Sequence, residues 1–166
     1  LSRVAFVAST PAAPSELFVL DVASGEERQL TTFNAEWRAK TSLSAPEHLV
    51  VPVAPGVEVD AWFMKPADYV EGRTYPVLLN VHGGPFAQYG RSFFDEFHVY
   101  TGVGYSVVYC NPRGSSGQST TFGRAVIGHM GEDDFTDILA AFEAALGRMP
   151  WADLSRLGVM GGSYGG

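Results

Sequence analysis

Val159-Met160-Gly161-Gly162-Ser163-Tyr164-Gly165-Gly166 is the stretch whose reading decides the fold. The apolar run Leu157-Gly158-Val159-Met160, of the kind that forms a buried parallel strand, leads into a small-residue cluster with a serine at its apex. This is the G-x-S-x-G pattern of a nucleophile elbow, in which a sharp strand-to-helix turn lifts the serine clear of the backbone so that a base and a carbonyl can both reach it. Such a turn leaves no room for side chains beside the serine, and Gly161 and Gly165 meet that need. Three fixed positions of this composition recur by chance in roughly one chain in twenty of this size, so the assignment also needs support upstream.

Upstream, Tyr75 to Val81 and Tyr105 to Cys110 are compact β-rich runs without alternation, typical of strands covered on both faces. Between them Phe93, Phe94, Phe97 and Tyr100 recur at helical spacing, and Gly102 and Gly104 end that segment. The clearest helix is predicted over Glu132 to Leu146, with Phe135, Ile138, Leu139, Phe142 and Leu146 as one apolar stripe for burial. Glu132, Asp133 and Asp134 suit its N-terminal dipole, Gly147 is expected at C′, and Pro150 prevents continuation. Ahead of these, His48 to Val53 and Val57 to Lys65 are strand candidates joined at Ala54-Pro55-Gly56. The second alternates as an antiparallel strand near a sheet edge does, with Val57, Val59, Ala61 and Phe63 on one face. Strand, helix, strand, helix, strand with a serine elbow predicts an α/β fold, the N-terminal half of an α/β-hydrolase sheet.

Three short strand-like runs come first: Val4 to Ala8, Glu16 to Asp21 and Glu27 to Thr31, with Gly25 where a hairpin needs it. Such an antiparallel meander is a propeller blade or a small sheet. The polar stretch Thr32 to Pro46, irregular apart from Trp37, marks a boundary, so residues 1–42 and 43–166 are expected to form separate domains.

The 166 residues, 46% hydrophobic and 13% aromatic, belong to a packed globular protein. A net charge of −7 without a Lys/Arg cluster argues against nucleic acid or an anionic membrane as partner. Cys110 is the single cysteine, so no internal disulfide forms; it reads as a buried structural thiol, and the cytoplasm is the expected compartment. No metal or cofactor is expected. Leu1 reads as lying inside a strand, which leaves room for a targeting segment ahead of it.

Acyl transfer needs two hydrogen-bond donors aimed at the developing oxyanion. One is the backbone N–H after the nucleophile, here Tyr164, and the other comes from the loop after the third strand, which reads Val81-His82-Gly83-Gly84-Pro85. Gly84 is favoured over Gly83 as the donor. His82 reads as a group that orders this loop rather than as an acid–base residue. Arg113, in Asn111-Pro112-Arg113-Gly114-Ser115-Ser116-Gly117 after the fourth strand, either binds a substrate carboxylate or carbonyl or pins its loop by pairing with an acid. In hydrolases with this elbow the acid and the histidine follow the serine, whereas His48, His82, His98 and His129 all precede it. The base and acid are therefore expected outside this chain, which reads as a piece of an enzyme.

His82-Gly83-Gly84-Pro85, Asn111 to Gly117 and Gly161 to Gly166 resemble, in order and spacing, the prolyl oligopeptidase family of serine peptidases, in particular its acylaminoacyl-peptidase and dipeptidyl-aminopeptidase-like branch. The similarity runs from about Val50 to the end. It implies an N-terminal β-propeller that restricts access, with Val4 to Thr31 as its last blade, ahead of an α/β-hydrolase domain. It also carries the nucleophile onto Ser163 and the oxyanion donors onto the Tyr164 and Gly84 amides. The expected activity is a serine peptidase acting on short, N-acylated peptides, and its partners are such a peptide and the remainder of the same enzyme. Homo-oligomerisation is left open. The alternatives are a catalytically silent piece with a structural role, or an esterase of the same fold.

Overall fold

The computed structural model describes residues 1–166. Strands β1 (Arg3–Thr10), β2 (Ala13–Asp21) and β3 (Glu27–Gln29) form an antiparallel sheet in chain order. Phe6 and Phe18 pair across it with stacked rings 5.7 Å apart, one of the cross-strand contacts that hold such a meander together. Glu16 organises the segment beyond β3: its carboxylate accepts from the Thr31 hydroxyl and from the amides of Phe33 and Asn34, which fixes the chain into α1 (Ala35–Ala39). The stretch expected to be irregular thus holds a short helix.

The second sheet is mixed. β4 (Glu47–Ala54), β5 (Val57–Met64), β6 (Tyr75–Val81), β7 (Ser106–Asn111) and β8 (Ala152–Gly161) lie in the order β4-β5-β7-β6-β8, with β7, β6 and β8 parallel and β4 and β5 antiparallel. Counted within the sheet the order is 1-2-4-3-5, and this is the N-terminal half of an α/β-hydrolase sheet. β7, at its centre, is buried along its whole length. Cys110 lies there, its thiol pushed up to about 12 by burial and by the nearby Asp137 charge. It is an inert core group.

Both faces are covered. Helix α2 (Asp95–Gly102) packs Phe97 against Trp62, Met64, Val107 and Tyr109. Helix α4 (Asp133–Leu146) and the segment after it pack Ala145, Met149 and Trp151 against Phe63, Val77, Leu79 and Val108. Toward the other end of that face, Ala141 and Phe122 cover Val51, Val59, Ala61 and Cys110. Phe122 comes from α3 (Thr120–Arg124), a short helix capped by the Ser119 hydroxyl, which accepts from the Phe122 amide.

Four expectations change. Phe93 and Phe94 precede α2 instead of lying within it, and Phe93 stacks on the His98 ring at 4.7 Å and meets Trp37 edge-on. In α4 the stripe holds for Ile138, Phe142 and Leu146, which pack against the core, but the fully buried residues are Asp134, Asp137, Ala141 and Ala145, and Phe135 and Leu139 lie open. Small alanines let the helix approach the sheet closely, and hydrogen bonds to the two aspartates fix which face turns inward. Gly147 keeps a right-handed φ of −61° and is not a left-handed C′ residue; the helix ends through turns closed by the Arg148 and Met149 amides. Finally, β8 is longer than the expected run and is not buried. It stands at the sheet edge, paired on one side with β6, and Val159 is 72% exposed on an open groove of about 680 Å³ between β8 and α4.

The two sheets touch through few groups. His98 donates from Nε2 to the Pro11 carbonyl at 2.8 Å, and the Phe93 amide donates to Ser9 Oγ at 3.3 Å. No helix is long and apolar enough to cross a membrane.

Candidate active site

Parallel pairing decides where the chemistry-bearing loops meet. Val81 pairs with Gly161 and Asn80 with Tyr109, so β6, β7 and β8 end at one level and the loops that follow them share one edge of the sheet. Ser163 opens a 3-10 turn, Ser163–Gly165, with φ +59°, the one non-glycine residue of the chain in the left-handed region. A side chain held there carries backbone strain, as a serine at the apex of a sharp elbow does. The flanking glycines are required by close approach: a Cβ at Gly161 would collide with the Gly165 carbonyl, and one at Gly165 with the Val81 carbonyl.

The loop after β6 comes right up to the elbow. A Cβ at Gly83 would sit 3.3 Å from Ser163 Cβ and 3.1 Å from the Gly162 carbonyl oxygen. Gly84 follows with φ +133°. Among the backbone hydrogen bonds outside helices and strands, none uses the amides of Gly83 or Gly84, so these two N–H groups remain free to donate.

His82 is 7% exposed, and burial holds its imidazole below the usual histidine range against the opposing effect of the Gly83 carbonyl. In the neutral ring Nδ1–H donates to that carbonyl at 2.7 Å, which leaves Nε2 to accept from the buried Ser115 hydroxyl at 2.9 Å. Both nitrogens are thus spent, Nδ1 within the loop after β6 and Nε2 on joining that loop to the one after β7. A second bridge is the Asn111 side-chain amide, which donates to the Tyr89 carbonyl and accepts from the Tyr89 amide at 2.9 and 2.8 Å. The other histidines are occupied elsewhere, His48 by Asp60, His98 by Pro11 and His129 by Glu132. None contacts Ser163.

Arg113 takes the pinning role. Its Nε and Nη2 grip the two oxygens of Asp137, at 2.9 and 2.7 Å, its amide adds a third bond to the same carboxylate, and Nη1 reaches Asp133 at 2.7 Å. Asp137 is fully buried, so the guanidinium is its obligatory counter-charge. Its three nitrogens all engage acids of α4, which ties the loop after β7 to that helix.

One contact had no signal in the sequence beyond acids at a helix start. The Tyr164 hydroxyl donates to Asp134, which also accepts from the Gly131 amide at 2.8 Å. Burial raises the Asp134 carboxyl, yet the Tyr164 hydroxyl and the neighbouring amides outweigh it and hold the group below the usual carboxylate range. Tyr164 itself is pushed up, by burial first and then by Asp134. The elbow is therefore tied to the N-terminal turn of α4. No group of three His, Cys, Asp or Glu side chains converges as a metal site.

Residues 91–166 match the prolyl oligopeptidase family. The uncharacterized peptidase YuxL of Bacillus subtilis is 44% identical over 97% of the chain, which spans 25% of that protein. The acylamino-acid-releasing enzyme of Arabidopsis thaliana is 36% identical over 57% of the chain, 12% of its own length. The acylaminoacyl peptidase of Pyrococcus horikoshii superimposes with a TM-score of 0.90 at 39% identity, over 98% of this chain and 26% of that one. The chain thus spans about a quarter, or less, of the relatives it matches. On its sequence and its strand order alike, the chain belongs to the prolyl oligopeptidase family.

Proposed function

We propose that the protein carrying this chain is a serine peptidase of short, N-acylated peptides and that Ser163 is its nucleophile. The observation that carries the reading is the approach of the Gly83-Gly84 backbone, with its unspent amides, to the Ser163 side chain, so close that a Cβ on Gly83 would lie 3.3 Å from that of the serine. Ser163 Oγ attacks the peptide carbonyl, and the resulting oxyanion receives the N–H groups of Tyr164 and Gly84. Collapse expels the amine as it takes up the serine proton through a histidine, and water then releases the acyl group from the serine by the same route. That histidine and its aspartate come from outside these 166 residues, because His48, His82, His98 and His129 are committed to other partners. Two backbone amides as donors, rather than a tyrosine hydroxyl, favour acylated peptides over strict cleavage after proline. The three-stranded sheet, residues 1–42 with its linker, is read as the last blade of a propeller that limits substrates to short peptides.

The test is active-site labelling. A fluorophosphonate probe is expected to modify Ser163 in the complete protein and to spare Ser163→Ala; an unlabelled native protein ends the serine assignment. Acetyl-amino-acid, free dipeptidyl and benzyloxycarbonyl-Gly-Pro reporters then rank the substrate classes, with the acetylated reporter expected to be turned over fastest.

A further inference from the structure

Beside the loop after β6 lies a second groove, of about 460 Å³, between that loop and α3. Its apolar wall is Phe86, Val126 and Ile127, with Phe86 70% and Ile127 61% exposed. The Phe86 ring is not loose: a Cβ at Gly123 would lie 2.6 Å from its Cε2, so the ring rests on a bare stretch of α3 with its other side open. Arg124 is the single charged residue lining the groove, it is exposed, and it forms no ion pair although the chain carries a net charge of −7. Phe86 is two residues past Gly84, so along the chain the groove begins within about 7 Å of the proposed oxyanion donor.

We propose that this groove binds the C-terminal residue of the peptide substrate, its apolar side chain against Phe86 and Ile127 and its α-carboxylate on the Arg124 guanidinium. The inference rests on the serine-peptidase reading. An unpaired guanidinium over an apolar wall complements an anion attached to a hydrophobic group, and a peptide's C-terminal residue is such a ligand. The direction of the bound peptide follows from the charge. With the carboxylate at Arg124 and the reacting carbonyl at Ser163, the groove takes the leaving-group side, and its proximity admits one or two residues there. The preferred substrates are then short acylated peptides with a free C-terminal carboxylate and an apolar last residue.

The experiment uses the complete protein, p-nitrophenyl acetate as a small acylating substrate, and Ala-Leu and Ala-Leu amide as competitive inhibitors. The acid is expected to inhibit about tenfold more strongly than the amide, as a charge-assisted contact requires. Arg124→Gln brings that ratio to about one, Arg124→Lys keeps most of it, and Phe86→Ala weakens acid and amide alike with the ratio preserved. Equal inhibition by acid and amide in the native protein overturns the proposal, and so does a ratio that survives Arg124→Gln. If Ala-Glu amide matches Ala-Leu, a side-chain carboxylate is what is read and the C-terminal assignment falls. Fluorophosphonate labelling of the same preparation separates the two levels: labelled protein with a ratio of one overturns the groove alone, whereas unlabelled protein removes the serine reading and the groove with it.

Discussion

Tyr164 faces two neighbours through different atoms. Its amide adjoins Ser163 in the 3-10 turn, and its hydroxyl is tied to Asp134, a carboxylate only 3% exposed. Through this tie the turn that strains Ser163 to φ +59° is braced against α4. Removing the hydroxyl leaves Asp134 with backbone donors alone, and an under-satisfied buried carboxylate costs about 1–3 kcal/mol. Tyr164→Phe is therefore expected to lower the unfolding free energy by that amount in a denaturant titration. Ser163 should still be labelled by a fluorophosphonate, but several-fold more slowly, because the amide beside it is less firmly placed. Unchanged labelling kinetics would mean that the hydroxyl only stabilises. Ser163, Gly161 and Gly165 were legible in the sequence because an elbow restricts its own residues. The partner of Tyr164 was not, since it lies 30 residues away and sequence shows only that an acid begins a helix.

At the scale of elements, the loops after β6 and β7 and helix α4 are held together by buried polar groups: His82 with Ser115, Asn111 with Tyr89, Arg113 with Asp137. The last pair is the most consequential, because Asp137 is fully buried and paired in a fork geometry that lysine does not reproduce. Arg113→Ala is expected to cost about 3–5 kcal/mol in a urea titration, since it strands a buried charge. Arg113→Lys should fall between it and the native protein, and Arg113→Ala with Asp137→Asn should recover part of the loss by removing that charge. A double variant no more stable than Arg113→Ala would locate the cost elsewhere. This pairing also explains where reading by periodicity failed. Of the stripe, Ile138, Phe142 and Leu146 do pack on the core, but Asp134 and Asp137 lock the inward face of α4 onto Ala141 and Ala145, so Phe135 and Leu139 turn to the open groove beside β8. β6 and β7 were legible because unbroken apolar runs have few other uses, whereas α3 is too short for any period and announces itself only by Ser119 three residues before Phe122.

Across the whole molecule the two sheets meet at a histidine. Burial holds His98 below the ordinary histidine range, against the opposing pull of the Pro11 carbonyl and of Asp95, and its Nδ1 is buried without a partner. A proton added there would place an unsatisfied charged donor between the β1–β2 hairpin and α2. His82 is depressed for the same first reason. A histidine with a folded pKa below 6.5 binds fewer protons folded than unfolded, so its contribution is complete above pH 6.5 and is lost as the pH falls below it. Each such group loses at most about 1.4 kcal/mol per pH unit. The carboxylates held low, Glu16, Asp21, Asp134 and Asp153, act in the same direction, but their stabilisation persists down to the unfolded values of 4.5 and 3.8. The interval from about pH 7.5 to 5.5 therefore isolates the histidines. The thermal midpoint is expected to fall across that interval, and His98→Asn, which cannot take up the proton, should flatten the slope while lowering the midpoint at its upper end. If the slope is unchanged in His98→Asn, the contact between the sheets is indifferent to this titration and His82 alone carries the dependence.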